Sequence, residues 1–227
     1  ARILLFPGFI CSWKDSKYGL LGRNGSDFSA ALIGVGLGAT KVEFWTDVDG
    51  IYTADPRIVP DAIMVNDMSY EEAMELSFFG SKVLHPKTLA PLAAKGIEAW
   101  SLNSMNPESR GTRITSGKFE SSGPIRGISC LKDTAMISVS GSGMKGKSGM
   151  AARIFEAVSR AGISMLLITQ SSSEYTISFC VPQKDALTVQ EILGAEFELE
   201  LRENIINLIE TIENCAIVSI VGDGMKH

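Results

Sequence analysis

The chain has 227 residues, with 21 Lys and Arg against 26 Asp and Glu, a net charge of -5 and 45% hydrophobic residues. That length corresponds to one or two domains of roughly 100–200 residues each, and the acidic balance argues against a nucleic-acid backbone or an anionic membrane surface as the main partner. No apolar run reaches the ~20 residues of a membrane-spanning helix, and Cys11, Cys130, Cys180 and Cys215 are scattered without a C-x-x-C pair, as expected of reduced intracellular thiols rather than a disulfide framework or a zinc site.

The first half alternates strand and helix patterns. Ile3–Phe6 is predicted as a short apolar strand ended by Pro7-Gly8. Gly22-Arg23-Asn24-Gly25-Ser26-Asp27 is a glycine-punctuated loop entering a helix from about Ser26, with Phe28, Ala31, Leu32 and Val35 at helical spacing. Gly36 and Gly38 stop that helix. Lys41–Thr46 suits a strand, and Asp47–Arg57 holds two turn signals, Asp49-Gly50 and Asp55-Pro56. Ser69-Tyr70-Glu71-Glu72 has the form of a capping box opening a helix. His85-Pro86 opens another, stopped at Lys95-Gly96, and Ile97–Leu102 reads as a strand. This alternation implies an α/β layer fold with a largely parallel sheet.

Residues 103–124 are rich in Ser, Gly, Pro and Asn, which places a linker at 118–124. Beyond it, Ile125–Leu131 and Ala135–Val139 are predicted strands and Met150–Ala161 a helix. Ile163–Thr169 and Tyr175–Val181 are strands, Asp185–Leu201 a helical region, and Ala216–Val221 a further strand. The order β-α-β-β-α-β is that of a ferredoxin-like sandwich. The chain begins with Ala rather than Met and stops just after an apolar strand, which suggests a piece of a longer polypeptide.

Four stretches can carry chemistry. In Gly22–Asp27, glycines let a ligand approach the backbone, and free N–H groups at a helix N-terminus favour an anion. Arg23 can grip a carboxylate in a bidentate way, and Asp27 adds a carboxylate of its own. An Asx-type helix cap would explain the same turn. Thr46 to Arg57 is a strand running into a polar loop, and ligands of open α/β sheets bind at the carboxyl ends of strands. Two β-turns would account for its Asp-Gly and Asp-Pro pairs unaided. Phe79–Pro86 holds Lys82 just past a helix end, where a cation also offsets the dipole, and His85, read as a hydrogen-bonding residue rather than a metal ligand.

The fourth stretch, Gly141 to Ser148, matches both G-x-x-x-x-G-K-[ST] and G-x-G-x-x-G between a predicted strand and helix. No acidic residue ends the next strand, only about 80 residues follow, and two adjacent strands come after the helix, so a doubly wound nucleotide fold is disfavoured. A loop presenting backbone groups to a small ligand is the preferred reading.

Gly22–Asp27, Trp45–Arg57 and Phe79–Pro86, in that order and spacing, resemble the aspartate kinases. Ser138–Pro182, with Gly149-Met150-Ala151-Ala152-Arg153 and Ile168–Glu174, is similar to the ACT regulatory region, most like the bifunctional aspartokinase–homoserine dehydrogenases. The resemblance implies an amino acid kinase α/β sandwich over residues 1–117, a linker at 118–124, a ferredoxin-like ACT domain over 125–214 and the start of a second ACT unit at 215–227. Interleaving of ACT units in the family assigns Ile125–Leu131 to the second.

The implied reaction is phosphoryl transfer from ATP, with Mg, to the side-chain carboxylate of L-aspartate. Arg23 and Ser26 would hold aspartate, and Asp27 would organise the catalytic centre. Thr46, Asp47, Tyr52, Arg57 and Lys82 would contact ATP. Met144, Gly149, Met150, Ala151 and Gln170 would line an effector site, for threonine more than for lysine or methionine. A homodimer through ACT domains and a cytoplasmic location, or a plastid one in a plant, are implied as well. The family's N-terminal lysine- and glycine-rich phosphate motif is not among these residues, nor is a homoserine dehydrogenase module. The 227 residues alone are therefore expected to be catalytically incompetent, and an isolated amino-acid-binding module is the alternative.

Overall fold

The computed structural model describes residues 3–12, 17–22, 24–78, 84–117, 119, 125–171 and 175–222. They fall into two compact units, residues 1–130 with 218–227, and residues 131–217. The predicted linker at 118–124 lies, apart from Phe119, outside the described residues.

The first unit opens with a small antiparallel pair, β1 (Ile10–Ser12) and β2 (Tyr18–Leu20). Helix α1 (Gly25–Gly36) leads into β3 (Lys41–Thr46). Then come β4 (Asp67–Ser69), α2 (Tyr70–Phe78), α3 (Pro86–Ala93), β5 (Glu98–Asn103) and β6 (Thr112–Thr115). The sheet order is β3-β5-β6-β4. Its β3–β5 and β4–β6 pairs are parallel, and only β5–β6 is antiparallel. A parallel pair needs a crossover, and the helices supply it. Their apolar faces and the sheet bury Phe44, Met68, Tyr70, Leu76, Leu89, Leu92 and Ile114 in one core.

The capping box forms as read. The Glu72 N–H donates to Ser69 Oγ and the Ser69 N–H donates to Glu72 Oε2, both at 3.1 Å. His85 caps α3, its Nδ1 accepting from the Lys87 N–H at 3.1 Å. Ile3–Phe6 differs from the sequence expectation. It forms no strand, and Ile3 and Leu5 are both 94% exposed. A strand needs ladder partners, and none of the described residues pairs with this segment.

The second sheet, which lies mostly in the second unit, has the strand order β10-β7-β9-β8. Its elements run β7 (Gly127–Ser140), α4 (Met150–Arg160), β8 (Leu167–Gln170), β9 (Thr176–Pro182), α5 (Ala186–Glu196), α6 (Glu198–Arg202) and β10 (Leu208–Val221). This is the ferredoxin-like order, with the last strand beside the first and the second at the opposite edge. The two strands expected at 125–131 and 135–139 are one, β7. The polar Lys132-Asp133 step reads as a break, but Asp133 takes a left-handed conformation at φ 57° and the strand continues. Asn214 does the same inside β10, which starts eight residues before the predicted Ala216. The helical region after Asp185 is split at Phe197, whose ring is fully buried at φ -110°. The second core gathers Ile137, Val139, Ile154, Val158, Phe179 and Leu193 around that ring.

Candidate functional site

In the first unit, a cavity of about 700 Å³ opens where α1 begins and β3 ends. The turn before α1 is shaped by close packing. A side chain at Gly25 would stand 2.7 Å from Leu21 Cβ and 2.8 Å from the Phe9 ring. Asn24 takes a left-handed conformation at φ 59° to enter the helix. Below it the Ser29 hydroxyl donates to the Gly25 carbonyl at 2.9 Å and accepts from the Phe9 N–H at 3.1 Å. Asn24 and Asp27 line the cavity. Burial pushes the Asp27 carboxyl above its usual range, an effect partly offset by the Ser26 hydroxyl, which donates to Asp27 Oδ1 at 3.3 Å. Arg23 lies outside the described residues.

The second side of the cavity is the loop after β3, with Thr46, Asp47, Tyr52, Asp55 and Arg57 lining it. Thr112 fixes this loop from below. Its fully buried hydroxyl accepts from the Ile51 N–H at 2.8 Å and donates to the Val65 carbonyl at 2.7 Å. Gly50 sits so close that an added Cβ would meet Thr112 Oγ1 at 2.6 Å. Asp49 ties the loop to the end of β5, accepting from Asn103 Nδ2 at 2.8 Å and Asn106 Nδ2 at 3.1 Å. These bonds hold the Asp49 carboxyl below its usual range. The Tyr52 hydroxyl donates to Asp49 Oδ2 at 3.4 Å, and burial first, then the Asp49 charge, pushes the phenol up.

Arg57 is held in a fork by Asp55. Its Nε donates to Oδ1 at 3.0 Å and its Nη2 to Oδ2 at 2.8 Å. The guanidinium is 75% exposed, so it remains accessible to an anion in the cavity. Sequence reasoning did not single out Asp49, Asp55 or Thr112 as organisers of the loop. In the sequence the two Asp belong to a polar loop whose Asp-Gly and Asp-Pro pairs also form turns, and Thr112 lies about 60 residues from the loop it holds. Lys82 lies outside the described residues, as does most of the Phe79–Pro86 stretch.

The five residues expected around an effector are spread within the second unit. Met144 and Met150 are buried in its core, and Ala151 packs partly against it. Gly149 begins α4 in a left-handed conformation at φ 91°. Gln170, the last residue of β8, has its side chain in solvent.

In the P-loop-like stretch, five of the eight amides are bonded to protein acceptors. The Gly141 N–H donates to the Tyr175 carbonyl at 3.0 Å, the Ser142 N–H to Asn207 Oδ1 at 3.0 Å and the Gly143 N–H to the Ile205 carbonyl at 3.1 Å. The Met144 and Lys147 N–H groups close turns inside the loop. Side chains at Gly141 and Gly143 would overlap the Ile205 backbone, so these glycines serve close packing. Lys145 lies over the Tyr175 ring, 5.6 Å from its centroid.

Comparison with known proteins matches residues 1–103 to the amino acid kinase family and residues 137–197 to the ACT domain. Along its whole length the chain is 50% identical to a bifunctional aspartokinase/homoserine dehydrogenase of Haemophilus influenzae. The chain belongs to the aspartokinase family. It spans 28% of the length of that relative. The crystal structure of E. coli aspartokinase III in complex with aspartate and ADP is similar at 33% identity and TM-score 0.78, over 95% of this chain and 47% of that one. The same enzyme in complex with lysine and aspartate is similar at TM-score 0.74, with the same coverage. The amino acid kinase and ACT architecture is that expected from the sequence. No helix of the described residues is long and apolar enough to cross a membrane.

Proposed function

We propose that the protein of which these residues form part is an aspartate kinase, transferring a phosphoryl group from MgATP to the side-chain carboxylate of L-aspartate. The observation that carries this reading is the single cavity joining Asn24 and Asp27 with Thr46, Asp47, Tyr52 and Arg57. Two sequence segments, each ambiguous alone, meet there. A carboxylate oxygen of aspartate attacks the γ-phosphorus, the bond to the bridging oxygen breaks, and ADP leaves. Such a transfer asks the protein mainly to position the reactants and neutralise charge.

In this reading Arg23 and Ser26 hold aspartate, and Asp27 organises the centre between the two substrates. Arg57 and Lys82 face the phosphates, while Thr46, Asp47 and Tyr52 hold the nucleotide. The described lining has three carboxylates, Asp27, Asp47 and Asp55, against one guanidinium already shared with Asp55. A cation arriving with the polyphosphate offsets the negative charge of this lining. Among the described residues no cluster of three or more acidic, His or Cys side chains is arranged for a metal. One or two carboxylates plus substrate phosphates is the usual way Mg is held, so Asp27 and Asp47 fit a Mg that arrives with ATP. When bound, it neutralises phosphate charge.

E. coli aspartokinase III is recorded with lysine as well as with aspartate. We assign the second unit the corresponding role of binding an amino-acid effector, with threonine the preferred one by resemblance. The exposed edge strand β8, carrying Leu167 at 42% and Ile168 at 51% exposure, supports pairing with a second copy. A soluble cytoplasmic or plastid enzyme is the matching location.

A kinase assay on the full-length protein tests the reading. Arg57→Ala is expected to raise KM for ATP about tenfold, the loss of one charge-assisted contact, and Arg23→Ala to do the same for aspartate. Aspartyl phosphate formation that ignores both substitutions would overturn it. Calorimetry with threonine, lysine and methionine tests the effector. If none binds, the sensor role falls.

A further inference from the structure

The cavity is lined by the turn into α1, by the loop after β3 and by a wall at Ile128–Cys130, the start of β7. The loop after β3 supplies most of the polar lining. Asp47, Val48, Gly50 and Tyr52 line the cavity, but Asp49, in the middle of that run, does not. Both of its carboxylate oxygens are engaged elsewhere. Oδ1 accepts from the Asn103 and Asn106 amides, and Oδ2 accepts from the Tyr52 hydroxyl.

The asparagines belong to the turn after β5. β3 and β5 run parallel with Thr46 opposite Asn103, so the loops that follow them leave from the same end of the sheet. The turn holds the loop after β3 at two points. At the first, the Ser104 N–H and hydroxyl both donate to the Thr46 carbonyl at 2.9 Å. At the second, Asn103 and Asn106 grip Asp49. Asn103 is 9% exposed, and its side-chain amide is used at both ends. Its Oδ1 accepts from the Met105 N–H at 2.9 Å, which turns the NH2 toward Asp49. The Asn106 N–H donates back to the Asn103 carbonyl at 3.2 Å, so the turn is itself closed. Asn103, Ser104 and Asn106 are not among the residues that line the cavity.

Ordering a loop costs conformational entropy. A loop fixed before the ligand arrives spares the binding step that cost, so its anchors set affinity without touching the ligand. Bonds to a charged acceptor are the stronger kind, which makes Asp49 the main anchor. We propose that Asn103 and Asn106 are positioning residues for the nucleotide, acting through Asp49 to hold the loop after β3 in its binding shape. This rests on the cavity being the ATP site. A clasp that served stability alone would leave the affinity of the folded protein for ATP unchanged.

The test uses the full-length enzyme, with Kd for MgATP measured by calorimetry on variants shown to be folded by circular dichroism. Asn103→Asp sets two carboxylates against each other, and Asp49→Asn removes the charged acceptor. Each should raise Kd and KM for ATP about 3- to 10-fold, the range of one hydrogen bond, while kcat and the KM for aspartate stay within about twofold of the parent. The double variant Asp49→Asn/Asn103→Asp exchanges donor and acceptor, and should recover ATP affinity to within about twofold of the parent. Asn106→Ala lies at an exposed position and should raise the Kd about threefold. It carries the test if the buried Asn103 variants do not fold. If Arg57→Ala weakens ATP binding but the Asn103, Asp49 and Asn106 variants do not, or if the double variant shows no recovery, the clasp serves stability alone. The proposal is then overturned while the ATP site stands. If Arg57→Ala has no effect either, the ATP reading of the cavity falls and the proposal falls with it.

Discussion

At the scale of single residues, Asp49 shows how much of the site is held by groups that need not touch a substrate. Its carboxylate joins the loop after β3 to the end of β5 through two asparagine amides and the Tyr52 hydroxyl. These bonds lower its pKa in the folded state. A depressed carboxyl stabilises the fold fully above its unfolded value, and that contribution is lost as pH falls through the lower folded value. Asp49→Asn should therefore destabilise at neutral pH, and the difference from the parent should shrink in acid below the ordinary aspartate range. Urea unfolding at several pH values measures it. The same substitution removes the charge that helps raise Tyr52. The Tyr52 phenol should move back toward its ordinary value without reaching it, because burial is the larger cause. Ultraviolet titration of tyrosinate in parent and variant follows this shift. An unmoved Tyr52 titration would show that the Asp49 charge does not reach the phenol.

At the scale of elements, the readable features were those whose cause is local. The Ser69–Glu72 capping box is written in four consecutive residues, and both of its bonds form. The same holds for the His85-Pro86 helix start and for the Lys41–Thr46 strand, whose bounds match the pattern residue for residue. Ile3–Phe6 misled because an apolar run looks identical with or without a neighbouring strand. β7 misled for the opposite reason, since its pairing with β9 from Thr134 to Ser140 carries a strand that the polar Lys132-Asp133 step suggests is broken. At the site, the residues of the loop after β3 were legible as a cluster, but Thr112 and the wall at Ile128–Cys130 were not, because only the folded sheet brings them near. Glu72 adds a long-range role to its local one. It is 4% exposed and pairs with Arg126 at 3.3 Å. Ser69→Ala should cost about 1 kcal/mol, the usual value of a helix cap. Glu72→Ala should cost ~3–5 kcal/mol, because it leaves the Arg126 guanidinium buried without its carboxylate. Denaturant unfolding of the two variants gives the ranking, and equal costs would mean that the Glu72–Arg126 pair contributes nothing beyond the cap.

At the scale of the whole molecule, two compact units each carry a glycine-rich turn at the start of a helix, and the nucleotide-binding spacing pattern falls on the second. The turn of the second unit fits G-x-x-x-x-G-K-[ST], yet its Gly141, Ser142 and Gly143 amides are spent on Tyr175, Asn207 and Ile205. A phosphate would have to displace three protein acceptors to use them, whereas a true cradle presents its N–H groups free. The turn of the first unit fits no nucleotide pattern, yet it borders the 700 Å³ cavity with Arg57 on its rim. A motif records spacing along the chain, and phosphate binding depends on which amides remain unclaimed after folding. Lys147→Ala in the full-length protein should therefore leave ATP affinity unchanged, while Lys82→Ala and Arg57→Ala each weaken it about tenfold, the loss of one charge-assisted contact. Equilibrium binding of a fluorescent ATP analogue to the three variants separates the cases. Loss of binding in Lys147→Ala alone would move the nucleotide to the second unit and leave the cavity of the first without one. The opposite pattern would place ATP in the unit matched to the amino acid kinase family and leave the unit matched to the ACT domain free to bind an effector.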